Sequence, residues 1–145
     1  DDPDLDVKAD DYLVLKNAGP ASAAAMPEAG YLPIPSKLAR AGVKDMVRIS
    51  DARMSGTAYG TIVLHVTPDA ASGGPLSLAQ TGDRIRLSVS ERKLELLVDQ
   101  AELDRRAASK VKVEAEGPRR GYAKLYQDQI LQADEGCDFA FLKGI

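Results

Sequence analysis

Arg84-Ile85-Arg86-Leu87-Ser88-Val89-Ser90-Glu91-Arg92-Lys93-Leu94-Glu95-Leu96-Leu97-Val98 is the stretch that decides the fold class. Ile85, Leu87 and Val89 alternate with Arg84, Arg86 and Ser88. After a polar turn at Ser90-Glu91-Arg92, Leu94, Leu96 and Val98 alternate with Lys93 and Glu95. A period of two puts one face of each strand in a core and the other in water, which predicts an antiparallel hairpin.

Upstream, three short apolar runs also read as strands. Tyr12–Leu15 is stopped by Asn17-Ala18-Gly19-Pro20. Met46–Ile49 leads into a polar loop from Ser50 to Gly60. Thr61–Thr67, rich in β-branched residues, reads as a central strand that Pro68 ends. Helices fall between and after the strands. Ser36–Ala41 lies between Pro35 and Gly42. Gly73-Gly74-Pro75 turns the chain into a short helical segment that ends near Gly82. Asp99, with Glu102 at the capping-box spacing, opens another helix. Residues 110–118 are polar and loose. The last helix spans about Arg120–Ala133, with Tyr122, Leu125, Tyr126, Ile130 and Ala133 on one stripe and Gly136 as its stop. Regular alternation of strand and helix is absent. The expected architecture is mainly β with peripheral helices, a barrel or sandwich with the helices packed outside.

The chain has 145 residues, 44% hydrophobic and 28% charged, which suits one globular domain. Its 19 basic and 22 acidic residues are interspersed and give a net charge of −3. No basic stripe suggests a nucleic-acid partner, and no apolar run is long enough to span a membrane. Cys137 and His65 are the only cysteine and histidine. They cannot form an internal disulfide, a closed zinc site or an iron–sulfur cluster alone, and the expected compartment is the cytoplasm. The opening Asp1-Asp2-Pro3-Asp4 reads like the middle of a longer protein.

The loop Ser50–Gly60 carries the most chemistry. Two hydroxyls, Ser55 and Thr57, lie beside Arg53 and Asp51, and Gly56 lets a ligand approach the backbone. By composition alone it also reads as an ordinary strand connection. Glu28, framed by Pro27 and Gly30, could offer one carboxylate to a hard cation such as Mg²⁺. His65 reads as a structural residue on the face of its strand with Val63 and Thr67. Cys137, without a basic neighbour, also reads as structural.

The run Ser50-Asp51-Ala52-Arg53-Met54-Ser55-Gly56-Thr57-Ala58-Tyr59-Gly60, then Leu64–Ala70 and Gly73-Gly74-Pro75-Leu76, resembles the C-terminal signature of the dihydroxy-acid and phosphogluconate dehydratases. Asn17-Ala18-Gly19-Pro20 with Met26-Pro27-Glu28 resembles a second signature. Tyr31–Pro35 and the tail Tyr122–Leu142 resemble the sugar-acid (arabinonate) branch. The likeness covers nearly the whole chain.

The resemblance implies a swivelling β-barrel flanked by helices, similar to the mobile domain of aconitase, spanning residues 1–145. It implies a partner, the chain's own N-terminal domain, which holds an iron–sulfur cluster and most Mg²⁺ ligands, and a homo-oligomer when full length. It implies a sugar-acid substrate, with Ser55 as the base for the C2 proton, Thr57 in contact with substrate and Glu28 as a Mg²⁺ ligand. The product would be a 2-keto-3-deoxy acid, and the domain alone would be inactive. One departure stands out. The family's glycine-rich stretch before Met-Pro-Glu is here Ala21-Ser22-Ala23-Ala24-Ala25. Alanines would strain any position that needs a positive φ. That departure leaves a competing expectation, a stand-alone barrel serving as a non-catalytic binding module.

Overall fold

The computed structural model describes residues 2–28, 32–55, 59–110 and 117–144. Three strands form a parallel sheet in the order β1 (Leu13–Leu15), β2 (Arg48–Ser50), β3 (Ile62–Val63). Leu13 lies opposite Arg48, and Ile49 opposite Val63. Helix α1 (Ser36–Arg40) lies on the connection from β1 to β2. It begins after Pro35, and Gly42, at φ +92°, follows its end. Flanked on both sides, β2 is buried along its whole length.

The central strand is therefore β2, and Thr61–Thr67 contributes only a two-residue edge strand. The chain leaves regular extension at His65, whose φ is +55°. It nevertheless follows β2, because the His65 N–H donates to the Ala52 carbonyl and the Val66 N–H to the Ser50 carbonyl. β-branched content had marked the wrong run as central. Arg48 tolerates burial because its guanidinium donates to the Leu32 carbonyl (3.3 Å) and the Tyr59 carbonyl and meets Asp45 at 3.4 Å.

The hairpin forms as expected from β4 (Ile85–Ser88) and β5 (Lys93–Leu96), antiparallel, with Ile85 opposite Leu96 and Leu87 opposite Leu94. Val89 belongs to the turn and is exposed. On the wet face Arg86 lies opposite Glu95 at 3.2 Å. An apolar cavity of about 260 Å³, lined by residues including Ile49, Val66, Leu76 and Leu96, separates the hairpin from the parallel sheet. The described residues thus hold two small sheets with a few helices, and among them no barrel closes.

A 3₁₀ turn (Pro75–Leu78) replaces the longer helical segment expected before Gly82. Helix α2 (Gln100–Ser109) starts at Asp99, yet Asp99 makes no side-chain cap bond. Its carbonyl takes the Glu102 and Leu103 N–H groups. The Glu102 carboxylate turns away to Arg105 (2.7 Å) and Arg106 (2.8 Å), so no capping box forms. Arg106 in turn grips Asp83 through both terminal nitrogens (2.6 and 3.0 Å) and donates to the Leu78 carbonyl. This fork fastens α2 to the loop before the hairpin.

Helix α3 (Gly121–Gln129) is shorter than the stripe suggested. Ile130 is already extended and pairs with Phe139, and Gly136, at φ +87°, closes a 3₁₀ turn (Ala133–Glu135) instead of the helix. Tyr122 and Tyr126 meet Phe139 edge-on, and Phe139 stacks on Phe141. Tyr122, Leu125 and Phe141 stay exposed, so the stripe is not buried in a core. The polar segment at 110–118 lies mostly outside the described residues.

The hydrogen bond from Arg106 lowers the Asp83 carboxyl below its usual range. Bonds from Arg105 and then Arg106 hold Glu102 down at about 2. Carboxyls whose folded pKa is depressed stabilise the fold above their unfolded pKa and lose that contribution as pH falls. Replacing Arg106 by Met should therefore cost stability at pH 6. The gap between variant and wild type should shrink as pH falls from about 4.5 toward 2. Urea unfolding across that range reads the difference, and a constant gap would exclude the fork as its source.

Candidate functional site

Two buried carboxylates organise the loops at one end of the parallel sheet. Asp51, directly after β2, is fully buried. Its carboxylate accepts the N–H groups of Asn17 (3.2 Å), Ala18 (3.1 Å) and Ala70 (2.9 Å). Asp69 is also fully buried and accepts those of Ala21 and Ser72, both at 2.7 Å. Gly19 packs against Asp69 so closely that a Cβ there would sit 2.4 Å from the Asp69 Cβ. The two aspartates thus tie the segment after β1, the loop after β2 and the turn at 69–72 into one unit. All five donors they take are backbone N–H groups, so the carboxylates fix the path of the chain and not merely a side chain.

The loop after β2 is anchored again at its far end. Arg48 holds the Tyr59 carbonyl, and Asp45 takes the Thr61 N–H and hydroxyl. The Thr61 hydroxyl bond is the main cause that lowers the Asp45 carboxyl. Gly60, at φ +95°, fits where a Cβ would lie 2.2 Å from the Asp45 carboxylate, so no other residue fits there without displacing the pair.

Between these anchors lie the candidate residues. The backbones of Arg53 and Glu28 form an isolated parallel β-bridge, and the Arg53 Nε donates to the Met26 carbonyl at 3.2 Å. The bridge brings the Met-Pro-Glu arm to the loop two residues before Ser55. Glu28 is exposed and Ser55 half-buried. Neither is sealed in the core. Thr57 lies outside the described residues. Ala25 and Met26, at φ +53° and +50°, both occupy the left-handed region that disfavours side chains. The alanine stretch therefore carries the strain expected of it.

His65 is placed differently from expectation. It is exposed, off the strand, and left-handed rather than on a strand face with Val63 and Thr67. Asp51 spends its carboxylate on three backbone donors, so it is no partner for a serine–histidine relay. Cys137 lies with its Sγ 3.5 Å from the Met26 Sδ. Burial, aided by Asp69 and Asp134, pushes its thiol upward, which suits a packed thiol and not a nucleophile.

Among the described residues no cluster of three or more His, Cys, Asp or Glu could hold a metal ion. A chain with one cysteine does not fit an iron–sulfur cluster by itself. The exposed Glu28 carboxylate fits one position in a Mg²⁺ shell whose other ligands come from elsewhere.

Sequence reasoning missed Asp69, Arg48 and Gln132 as organisers. Asp69 carried a usable signal, since Asp-Ala-Ala-Ser-Gly-Gly has the spacing at which a carboxylate bonds a nearby backbone N–H. Arg48 and Gln132 carried none, because their partners are remote carbonyls and turns.

Residues 2–137 match the family described as dihydroxy-acid/6-phosphogluconate dehydratase C-terminal. The chain belongs to that family. It is 54% identical over 143 residues to a 6-deoxy-6-sulfo-D-gluconate dehydratase of Pseudomonas putida, covering 99% of this chain and 24% of that protein. It is 52% identical over 148 residues to an L-arabonate dehydratase of Azospirillum brasilense, covering 99% and 25%. An L-arabinonate dehydratase of Rhizobium leguminosarum bv. trifolii is 48% identical over 143 residues, covering 99% and 24%. The chain spans about a quarter of the length of these relatives. Among the described residues no helix is long and apolar enough to cross a membrane.

Two stability changes follow from this geometry. Asp51→Asn replaces an acceptor by an amide N–H₂ facing backbone donors and should lower the unfolding free energy by about 2–3 kcal/mol. Ala25→Gly removes the left-handed penalty and should raise it by about 0.5–1 kcal/mol. Chemical denaturation checks both, and a neutral Asp51→Asn would contradict the anchoring role.

Proposed function

We propose that this chain is the C-terminal domain of a sugar-acid dehydratase acting on a pentonate such as arabinonate. In the complete enzyme, on this reading, it is a swivelling barrel packed on an N-terminal domain that holds the iron–sulfur cluster. The whole is a cytoplasmic homo-oligomer. The observation that carries the site assignment is the Glu28–Arg53 bridge, which brings the Met-Pro-Glu arm beside the Ser55 loop. The relatives' names support the reaction class and the branch.

The Ser55 oxygen takes the proton from C2 of the sugar acid, and the electron pair left behind forms the C2–C3 double bond. The C3–oxygen bond breaks, and the departing hydroxide takes up a proton as water. The resulting enol gains a proton at C3, loses the one on its C2 hydroxyl to solvent, and becomes the 2-keto-3-deoxy acid. Thr57 holds the substrate, and Glu28 supplies one Mg²⁺ ligand. Bound iron and Mg²⁺ supply positive charge, which makes a serine hydroxyl acidic enough to act as a base and offsets charge on the substrate. A hydroxyl without that field is an alcohol, so this chain alone should not turn over.

Glu28 is exposed and Ser55 half-buried, which suits closure against another domain.

The left-handed Ala25 favours the second reading, a binding module that has lost catalysis. Turnover separates the two. In the full-length enzyme loaded with cluster and Mg²⁺, Ser55→Ala should lower kcat by at least about a thousandfold, while circular dichroism and cluster content stay unchanged. A variant with full activity would remove Ser55 from the chemistry. A wild-type enzyme that dehydrates no sugar acid would favour the module.

A further inference from the structure

We propose that Gln132 is a positioning residue for the Met26–Glu28 arm, and through it for the cation that Glu28 would bind. The proposal rests on the reading of Glu28 given above. Gln132 uses both ends of its amide. Its Oε1 accepts the Asp69 N–H at 2.7 Å, and its Nε2 donates to the Ser72 hydroxyl at 3.0 Å. Its own carbonyl takes the N–H groups of Glu135 and Cys137, which folds the turn that follows. That turn delivers Cys137 to the buried Met26.

The segment before Glu28 is therefore clamped at two points from one turn. At Ala21 it hangs on the Asp69 carboxylate, whose backbone Gln132 holds. At Met26 it packs on Cys137. At and just before the second point Met26 and Ala25 are both left-handed, and such residues persist only where their surroundings impose the conformation. Release of the clamp would let the arm relax, and the Met26 carbonyl and Glu28 would leave their register on Arg53. A role confined to holding the fold would lower stability without changing cation affinity, which separates the two roles.

The test uses the full-length enzyme with its cluster, titrated with Mn²⁺ in place of Mg²⁺, with free Mn²⁺ read by electron paramagnetic resonance. Gln132→Leu should weaken Mn²⁺ binding about tenfold at unchanged cluster content, as loss of an outer support of a metal ligand does. Gln132→Glu keeps the acceptor for the Asp69 N–H and should weaken it less, by about threefold. Glu28→Gln is the control and should weaken binding at least as much as Gln132→Leu. If Glu28→Gln binds like wild type, the ligand reading fails and the positioning role falls with it. If Glu28→Gln loses Mn²⁺ but Gln132→Leu stays within about twofold of wild type, the positioning role alone is overturned. Should Gln132→Leu fail to fold, Gln132→Glu decides by the same threshold.

Discussion

A carboxylate cut off from water must find donors inside the protein, or its burial costs several kcal/mol. Asp51 finds three, all backbone N–H groups, on two segments far away in sequence. The arrangement solves two problems at once. The loops after β1 and around residue 70 have N–H groups with no strand to bond, and Asp51 has a charge with no solvent. Asp69, equally buried, repeats the device, and Gln132 closes it from the C-terminal turn. The loops near Ser55 take their shape from this polar frame. The apolar core is too small to impose it, since only Val7, Met26, Met46, Ile49, Ala52, Ala70, Leu76 and Ala79 are its buried apolar side chains among the described residues.

A frame of this kind differs from an apolar one in what it tolerates. Apolar contacts are non-directional, so a core can repack around a changed side chain. Hydrogen bonds to a buried carboxylate are directional, and each donor has one place to be. Arg48 shows the same logic with the charge reversed, since the Leu32 and Tyr59 carbonyls converge on a buried cation of the central strand. Segments fixed in this way are held at their roots, which leaves Glu28 exposed and Ser55 half-buried.

The hairpin, α1 and the polar character of the Ser50–Gly60 loop were legible because each depends on neighbours in sequence. Alternation, a Pro–Gly frame and composition are local signals. The central strand was misjudged because centrality depends on what flanks a strand, and Arg48-Ile49-Ser50 hides its burial behind an arginine satisfied by remote carbonyls. The capping box at Asp99 failed for a related reason. Glu102 had the right spacing, but two arginines one turn on compete for its carboxylate, and a charged partner outbids a backbone N–H. The stripe on α3 was real, yet its partner is Phe139 beyond the helix and not a core. Composition singled out Glu28 and the Ser55 loop as separate segments, whereas the backbone pairing of Glu28 with Arg53 that joins them left no local signal.

On the proposed reading, these facts bear on how the catalytic pair could work. A serine base needs a site dry enough for charge to matter and open enough for a sugar acid to enter, and one rigid pocket meets both demands poorly. Dividing the site between two domains relieves the conflict. Under the proposal one domain would carry the metals and the other pre-shaped loops, and closure would remove the water. The loops must then keep their shape while open, with no substrate to order them. Buried aspartates at their roots do that and leave Glu28 exposed.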